Sequence, residues 1–149
     1  MGYFNQYVRA ESLEEAYGLY QKKNNFVLGG MLWLKMRKRP FGTAIDLSDL
    51  GLDQIEEDEK EFRIGAYVSL RELETNEALN TYTKGAFAES VKHIVGVQFR
   101  NVATVGGSLW GRYGFSDVMT IFRAMGAKVQ LHHAGILDLD EFVKMPRKT

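Results

Sequence analysis

The chain has 149 residues, with 19 Lys and Arg against 19 Asp and Glu, so its formal net charge is zero. A general electrostatic hold on nucleic acid or on an anionic membrane surface needs a basic excess, and none is present. There is no cysteine, which excludes a disulfide, a thiolate zinc site or a cysteine-ligated iron–sulfur cluster within this chain. The length suits one domain, or two small subdomains sharing a core. No run approaches the ~18 apolar residues of a membrane span. The N-terminus, MGYFNQYVRAESLEE, lacks an apolar signal core. These features fit a cytoplasmic protein.

In chain order, ESLEEAYGLYQKKNN predicts a first helix. Ser12 and Glu15 make a capping-box pattern, Leu13, Ala16, Tyr17 and Tyr20 recur at helical spacing, and Asn24–Asn25 terminate the run. FVLGG reads as a short buried strand ending in two glycines. MLWLKMRKR reads as a helix closed by Pro40, with Lys35, Arg37, Lys38 and Arg39 at its solvated end. TAIDLSDL is a second strand and turn. A subdomain break falls near Leu50 to Gln54, giving units of about 1–52 and 53–149.

DQIEEDEKEFRIGAYVSL predicts a hairpin about an acidic tip near Asp58 to Lys60. Ser69 and Glu72 form a second capping box. TKGAFAESVKHIV reads as a longer helix, and SDVMTIFRAMGA as a helix capped by Ser116. KVQLHH is a strand and DLDEFV a last helical turn. A parallel β-α-β pattern giving way to hairpins and helices predicts an α/β or α+β domain.

Two places share a local grammar. FVLGGMLW is strand, glycine pair, helix; ATVGGSLW is an apolar stretch, a glycine pair and an exposed polar turn. A glycine pair can be a plain tight turn, or a place where backbone N–H groups converge on an anion. Two pairs set well apart favour a shared dinucleotide. Neither is a GxGxxG fingerprint or a Walker loop. No catalytic constellation stands out. His93 sits in a helical segment. His132 and His133 end a strand, where adjacent side chains point to opposite faces, so they read as surface residues and poor partners for one metal. Ser108 and Ser116 have no nearby histidine base. Any redox or group-transfer chemistry therefore belongs to a bound cofactor.

With both glycine pairs placed, the chain resembles the FAD-binding domain of the molybdenum hydroxylase flavoproteins. That family includes xanthine dehydrogenase, carbon monoxide dehydrogenase and 4-hydroxybenzoyl-CoA reductase. FVLGGMLWLKMRK is similar to its first flavin loop and RIGAYVSLREL to its IGA strand. VGVQFRNVATVGGSLWGRYGFSDVMTIFRAMGAKVQL is similar to its second flavin loop, of the form RNxATxGGN with a spaced SD. The resemblance implies a PCMH-type α+β fold, with a small N-terminal β-α-β subdomain packed on a larger mixed one and FAD between them.

By the same resemblance, Val27, Leu28, Gly29, Gly30, Met31, Leu32 and Trp33 wrap the diphosphate. Thr104, Val105, Gly106, Gly107 and Ser108 form the other wall, Ile94 lines the adenine or flavin pocket, and Asp117 bonds a hydroxyl of the cofactor. Met31 and Leu32 stand where the family places a polar pair, and Ser108 where it places Asn. The family's further C-terminal domain is not in this sequence. The implied function is electron transfer from [2Fe–2S] centres through FAD to an acceptor. A molybdopterin-binding subunit and a [2Fe–2S] subunit would be partners, a homo-oligomer is allowed, and neither nucleic acid nor membrane is involved. The rival expectation is a structural or interaction subunit of the same fold that has weakened or lost FAD binding.

Overall fold

A computed structural model describes residues 3–147. The N-terminal part comprises β1 (Phe4–Arg9), α1 (Leu13–Tyr20), β2 (Phe26–Val27) and β3 (Phe41–Asp46). The three strands form one parallel sheet in the order β1-β3-β2. β3 is central, and Phe41, Thr43, Ala44 and Ile45 are buried, the near-continuous apolar run of a strand covered on both faces. Ala10, Ala16 and Ile45 form a small core under α1, ringed by Leu19, Tyr20 and Leu47. Buried Asn25 ties the end of α1 to the sheet. Its side-chain oxygen accepts the Thr43 N–H at 2.9 Å and its Nδ2 donates to the Leu19 carbonyl at 2.8 Å.

The rest is a mixed layer of short elements. The hairpin β4 (Ile55–Glu57) and β5 (Phe62–Ile64) turns on Asp58, whose carboxylate accepts the N–H groups of Lys60 and Glu61 at 2.8 and 3.0 Å. Helices α2 (Leu70–Thr75), α3 (Glu77–Tyr82), α4 (Ala86–Val91), α5 (Val97–Val102), α6 (Val105–Trp110) and α7 (Asp117–Ala124) follow. A hairpin of β6 (Lys128–Leu131) and β7 (Gly135–Asp138) leads into α8 (Leu139–Lys144). The larger core lies among these helices, around Val68, Leu73, Phe87, Val91, Val118 and Phe122. The Phe87 and Phe122 rings meet edge to face, 5.1 Å apart. No helix of the described residues is long and apolar enough to cross a membrane.

The α+β class, the acidic hairpin, both short helices beginning at Ser69 and Ser116, and the parallel strand pattern follow the sequence reading. Several elements do not. β1 was not anticipated, because its side chains are mostly exposed and its stability comes from backbone pairing with β3. FVLGG yields only the two residues of β2, at the edge of the sheet and with Val27 exposed rather than buried. MLWLKMRKR is not a helix but a loop with one 3-10 turn at Leu34–Met36. Met31 enters it in the left-handed region (φ 59), which breaks helical continuity at the start of an already short segment. At α1, Ser12 accepts the Glu15 N–H as expected, but the Glu15 carboxylate reaches the N–H of Glu11 rather than that of Ser12.

TKGAFAESVKHIV also divides differently. Lys84 (φ 53) and Gly85 (φ 81) are consecutive left-handed residues that separate α3 from α4, and Val95 (φ 52) precedes α5. The histidines are also placed differently. His132 and His133 lie in the turn between β6 and β7, and His133 is left-handed (φ 68), so strand alternation does not govern them. Both rings turn toward Glu14 of α1.

One buried ion pair organises the α4–α5 bend. Arg100, only 5% exposed, donates from Nε and Nη2 to the Glu74 carboxylate at 2.9 and 3.3 Å, and from Nη1 to the Ile94 carbonyl at 3.1 Å. Arg71 reaches the same carboxylate at 2.9 Å. Burial pushes the Glu74 carboxyl up, but the hydrogen bonds from Arg100 and Arg71 outweigh it and hold the group below the usual carboxylate range.

Glu74→Gln leaves a buried guanidinium short of its counter-charge and is expected to cost about 3 kcal/mol, measured by urea unfolding at neutral pH. A carboxylate with a depressed folded-state pKa stabilises the fold above its unfolded value, and that contribution is lost as pH falls through the folded value. The gap between wild type and variant should therefore close in acid below the ordinary glutamate range. A gap independent of pH would count against the pair. At Val95, 78% exposed, a β-branched side chain is held left-handed with little burial in return. Val95→Gly is expected to raise stability by about 0.5–1 kcal/mol in the same assay.

Candidate functional site

The second glycine pair is built on a backbone seam. Residues 66–70 run antiparallel to residues 103–106, with Ser69 and Thr104 opposite each other. Leu70 N–H donates to Ala103 at 2.9 Å, Val105 N–H to Val68 at 2.9 Å, and Gly106 N–H to Ala66 at 2.8 Å. Thr104 then caps α6: its Oγ1 accepts the Gly107 N–H at 3.1 Å, and its carbonyl accepts the Ser108 hydroxyl at 2.8 Å. The expected polar turn is thus the first turn of a helix. Gly106 is required there because a Cβ would lie 2.8 Å from both the Cβ and the carbonyl oxygen of Ala66.

This seam uses up the donors at the start of α6. The N–H groups of Val105, Gly106 and Gly107 all have partners within the chain. What remains available is the surface formed by Thr104, Gly107 and Ser108, of which Gly107 is exposed.

The first glycine pair packs directly against that surface. A Cβ on Gly29 would sit 3.0 Å from Thr104 Oγ1, and one on Gly30 would fall 2.2 Å from the Val102 carbonyl oxygen. Farther along, the rings of Trp33 and Tyr113 lie 5.9 Å apart. The loop is pinned at its start by Tyr67, whose hydroxyl donates to the Leu28 carbonyl and accepts the Leu47 N–H at 3.0 Å. Burial pushes the Tyr67 hydroxyl up, so it stays protonated as a donor. Leu32 packs on the larger core and anchors the far side. Between these pins, the backbone N–H groups of Gly29, Gly30, Met31, Leu32 and Trp33 donate no hydrogen bond to any described residue. With Gly29 and Trp33 exposed and Gly30 to Leu32 half-buried, these five N–H groups are open to water or to an acceptor from outside the chain.

Of the two expected segments, Gly29 thus lies against Thr104, Gly30 against the Val102 carbonyl and Trp33 beside Tyr113, while Val27 is exposed at the sheet edge, Val105 is buried in the larger core and Gly106 faces Ala66. Ile94 is half-buried against the larger core, and its carbonyl accepts a hydrogen bond from Arg100. Asp117 is exposed in the first turn of α7, just past Tyr113 and Phe115, whose rings stack 5.2 Å apart. Ser116 caps α7 by accepting the Met119 N–H at 3.1 Å. Sequence reasoning gave no role to Tyr67, Arg100 or Tyr113. Tyr67 and Arg100 lie within the motifs RIGAYVSL and QFRNVAT, but nothing local shows that one reaches a loop 39 residues away and the other a carboxylate 26 residues away.

A depression of about 320 Å³ lies elsewhere, between the β4 edge and α2, lined by Asp53, Gln54, Ile55, Glu72, Thr75 and Asn76. Its lining is mostly polar, and it includes no residue of either glycine segment.

Residues 3–149 match the family described as the FAD binding domain in molybdopterin dehydrogenase. The uncharacterized protein YgfM of Escherichia coli is 27% identical over 148 residues, which is 95% of this chain and 54% of that protein. The chain thus spans about half the length of this relative. Among solved structures, quinoline 2-oxidoreductase from Pseudomonas putida 86 superposes with a TM-score of 0.81 at 19% identity, covering 95% of this chain and 52% of that one. Carbon monoxide dehydrogenase from Oligotropha carboxidovorans gives 0.79 at 23% identity, covering 91% and 50%. The Hydrogenophaga pseudoflava carbon monoxide dehydrogenase, in a form lacking the Mo-pyranopterin moiety, gives 0.78 at 22%, covering 96% and 55%. At such identities these likenesses speak to the fold. The match along nearly the whole chain decides the family: this protein belongs to the FAD-binding domains of the molybdopterin dehydrogenases.

Proposed function

We propose that this domain holds FAD in the groove between its two glycine segments and serves as the flavin-bearing electron-transfer component of a molybdenum-hydroxylase-type oxidoreductase. The observation that carries this reading is the run of unpaired N–H groups from Gly29 to Trp33, set against the Thr104–Ser108 wall. A diphosphate is an acceptor-only anion, and a run of uncommitted backbone N–H groups suits it without the chain giving up bonds of its own. The residues present fit the group. Val27 to Trp33 take the diphosphate. Thr104, Val105, Gly106, Gly107 and Ser108 supply a wall rather than donors, because the α6 N–H groups are already committed. Ile94 is assigned an apolar contact and Asp117 a hydroxyl contact with the cofactor.

Met31 and Leu32 do not weaken this assignment through their side chains. Leu32 anchors the loop in the core, and Met31 contributes a left-handed backbone. Such local strain persists where the surroundings hold it in place, here Tyr67 on one side and Leu32 on the other. When bound, FAD supplies the electron-carrying chemistry, taking electrons from [2Fe–2S] centres on a partner subunit and delivering them to an acceptor. Those metals belong to partners, a molybdopterin-binding subunit and a [2Fe–2S] subunit, since this chain has no cysteine. Units of about 1–52 and 53–149 flank the groove, and the cytoplasm is the proposed compartment.

A structural role with little or no flavin is the second reading. It is favoured by the fact that Gly30 and Gly106 face the chain's own backbone at Val102 and Ala66, so packing alone accounts for both.

One experiment separates the two. Purified protein incubated with FAD and passed through gel filtration should carry a flavin spectrum with it, near one equivalent. Protein that elutes folded but colourless establishes the structural role instead. Gly30→Ala, which drives a Cβ into the Val102 carbonyl, should weaken FAD binding about tenfold or more and cost about 1–3 kcal/mol of stability. Gly29→Ala should be milder, because its Cβ meets a side-chain oxygen at 3.0 Å rather than a backbone carbonyl at 2.2 Å, and equal effects of the two would argue against a loop held at Val102.

A further inference from the structure

We propose that Glu14, His132 and His133 form a binding site for a zinc-like divalent cation that fastens α1 to the β6–β7 hairpin. Both imidazole Nε2 atoms lie 2.9 Å from Glu14 Oε2, and the three donor atoms all lie within 4.8 Å of one another. Adjacent histidines on a strand cannot converge in this way. Here they sit in a turn, and the left-handed backbone of His133 swings its ring to the same side as that of His132. The two rings then stand edge to face, 4.5 Å apart. Tyr17, one turn beyond Glu14 on α1, stacks on His133 at 4.1 Å and meets His132 edge-on at 5.7 Å. Both imidazole planes are thus set before any ion arrives.

The donor set chooses the ion. Two imidazole nitrogens and one carboxylate oxygen suit zinc and its first-row neighbours, whereas magnesium and calcium prefer oxygen alone. Zinc bonds of about 2.0–2.2 Å in a tetrahedral arrangement place donors about 3.3 Å apart; the two His–Glu separations of 2.9 Å are close to this, and the two imidazole nitrogens lie within 4.8 Å of each other. A single imidazole would suffice for an ordinary ion pair with Glu14; a second on the same oxygen completes a three-point site. The groups are solvent-accessible, with His132, His133 and Glu14 side chains 35%, 49% and 69% exposed, so water can fill a fourth position. The site bridges 118 and 119 residues of sequence, and the ion would act as a clasp between the N-terminal sheet unit and the helical part.

The test uses the full chain without a polyhistidine tag, stripped of metal and titrated with zinc chloride by calorimetry. One equivalent should bind saturably, the thermal midpoint should rise with zinc, and excess magnesium should not displace it. His132→Ala and Glu14→Gln should each weaken binding about tenfold or more. His93→Ala, which removes the remaining histidine, should leave it unchanged. The absence of saturable binding would overturn the assignment, as would wild-type affinity in both His132→Ala and His133→Ala. Circular dichroism melts of each variant without metal separate lost ligands from lost folding.

Discussion

The contact between the two glycine segments depends on the backbone seam between residues 66–70 and 103–106. Its hydrogen bonds draw the start of α6 so close to Ala66 that no side chain fits at position 106. The seam buries Val68, Ala103 and Val105 in the larger core and leaves Thr104 pointing the other way, at the helix start. Thr104 then satisfies Gly107 and stands against Gly29. A glycine that would otherwise cost conformational entropy is kept here because the alternative is a collision. The same logic governs Gly65, where a Cβ would fall 2.0 Å from the Leu52 carbonyl oxygen and push the hairpin off the chain that joins the two parts.

The asymmetry between the two glycine pairs follows from the seam. One pair is inside a helix whose N–H groups are all used, and the other lies in a loop whose N–H groups are not. N–H groups without a partner among the described residues thus lie on one side of the contact only. Fixing the free side falls to residues outside the motif. Tyr67 holds the Leu28 carbonyl, Leu32 dips into the core, and Trp33 rests near Tyr113. A loop tied at three points keeps its N–H groups in place, so less ordering cost remains to be met on binding.

The helical part is held by polar groups as much as by apolar ones. The short helices α2 to α6 are each six residues, too short to persist alone, and they depend on packing and on side chains that bridge them. Asn80 does this for α2, α3 and α4, donating to the Leu73 carbonyl at 2.9 Å and accepting the Ala88 N–H at 2.8 Å. Arg100 does it for α5, joining Glu74 of α2 to the Ile94 carbonyl in the bend before it. None of these partners was legible in advance. The polar residues look ordinary in sequence, and their roles arise only when distant backbone groups arrive beside them.

By itself, the amino-acid sequence determined the class of fold, the caps at Ser69 and Ser116, the acidic hairpin, and the glycine segments that carry the family resemblance. Each is written in local chemistry: a hydroxyl three residues before a free N–H, an alternation of apolar side chains, or a residue without a Cβ. Only the tertiary structure decided that β1 is a strand, that MLWLKMRKR is a pinned loop, that the second glycine pair lies in a helix, and that His132 and His133 share Glu14. Those outcomes depend on pairing with residues far away in sequence, and long-range pairing overrides local propensity whenever it buries a core or satisfies a backbone group that would otherwise be left alone.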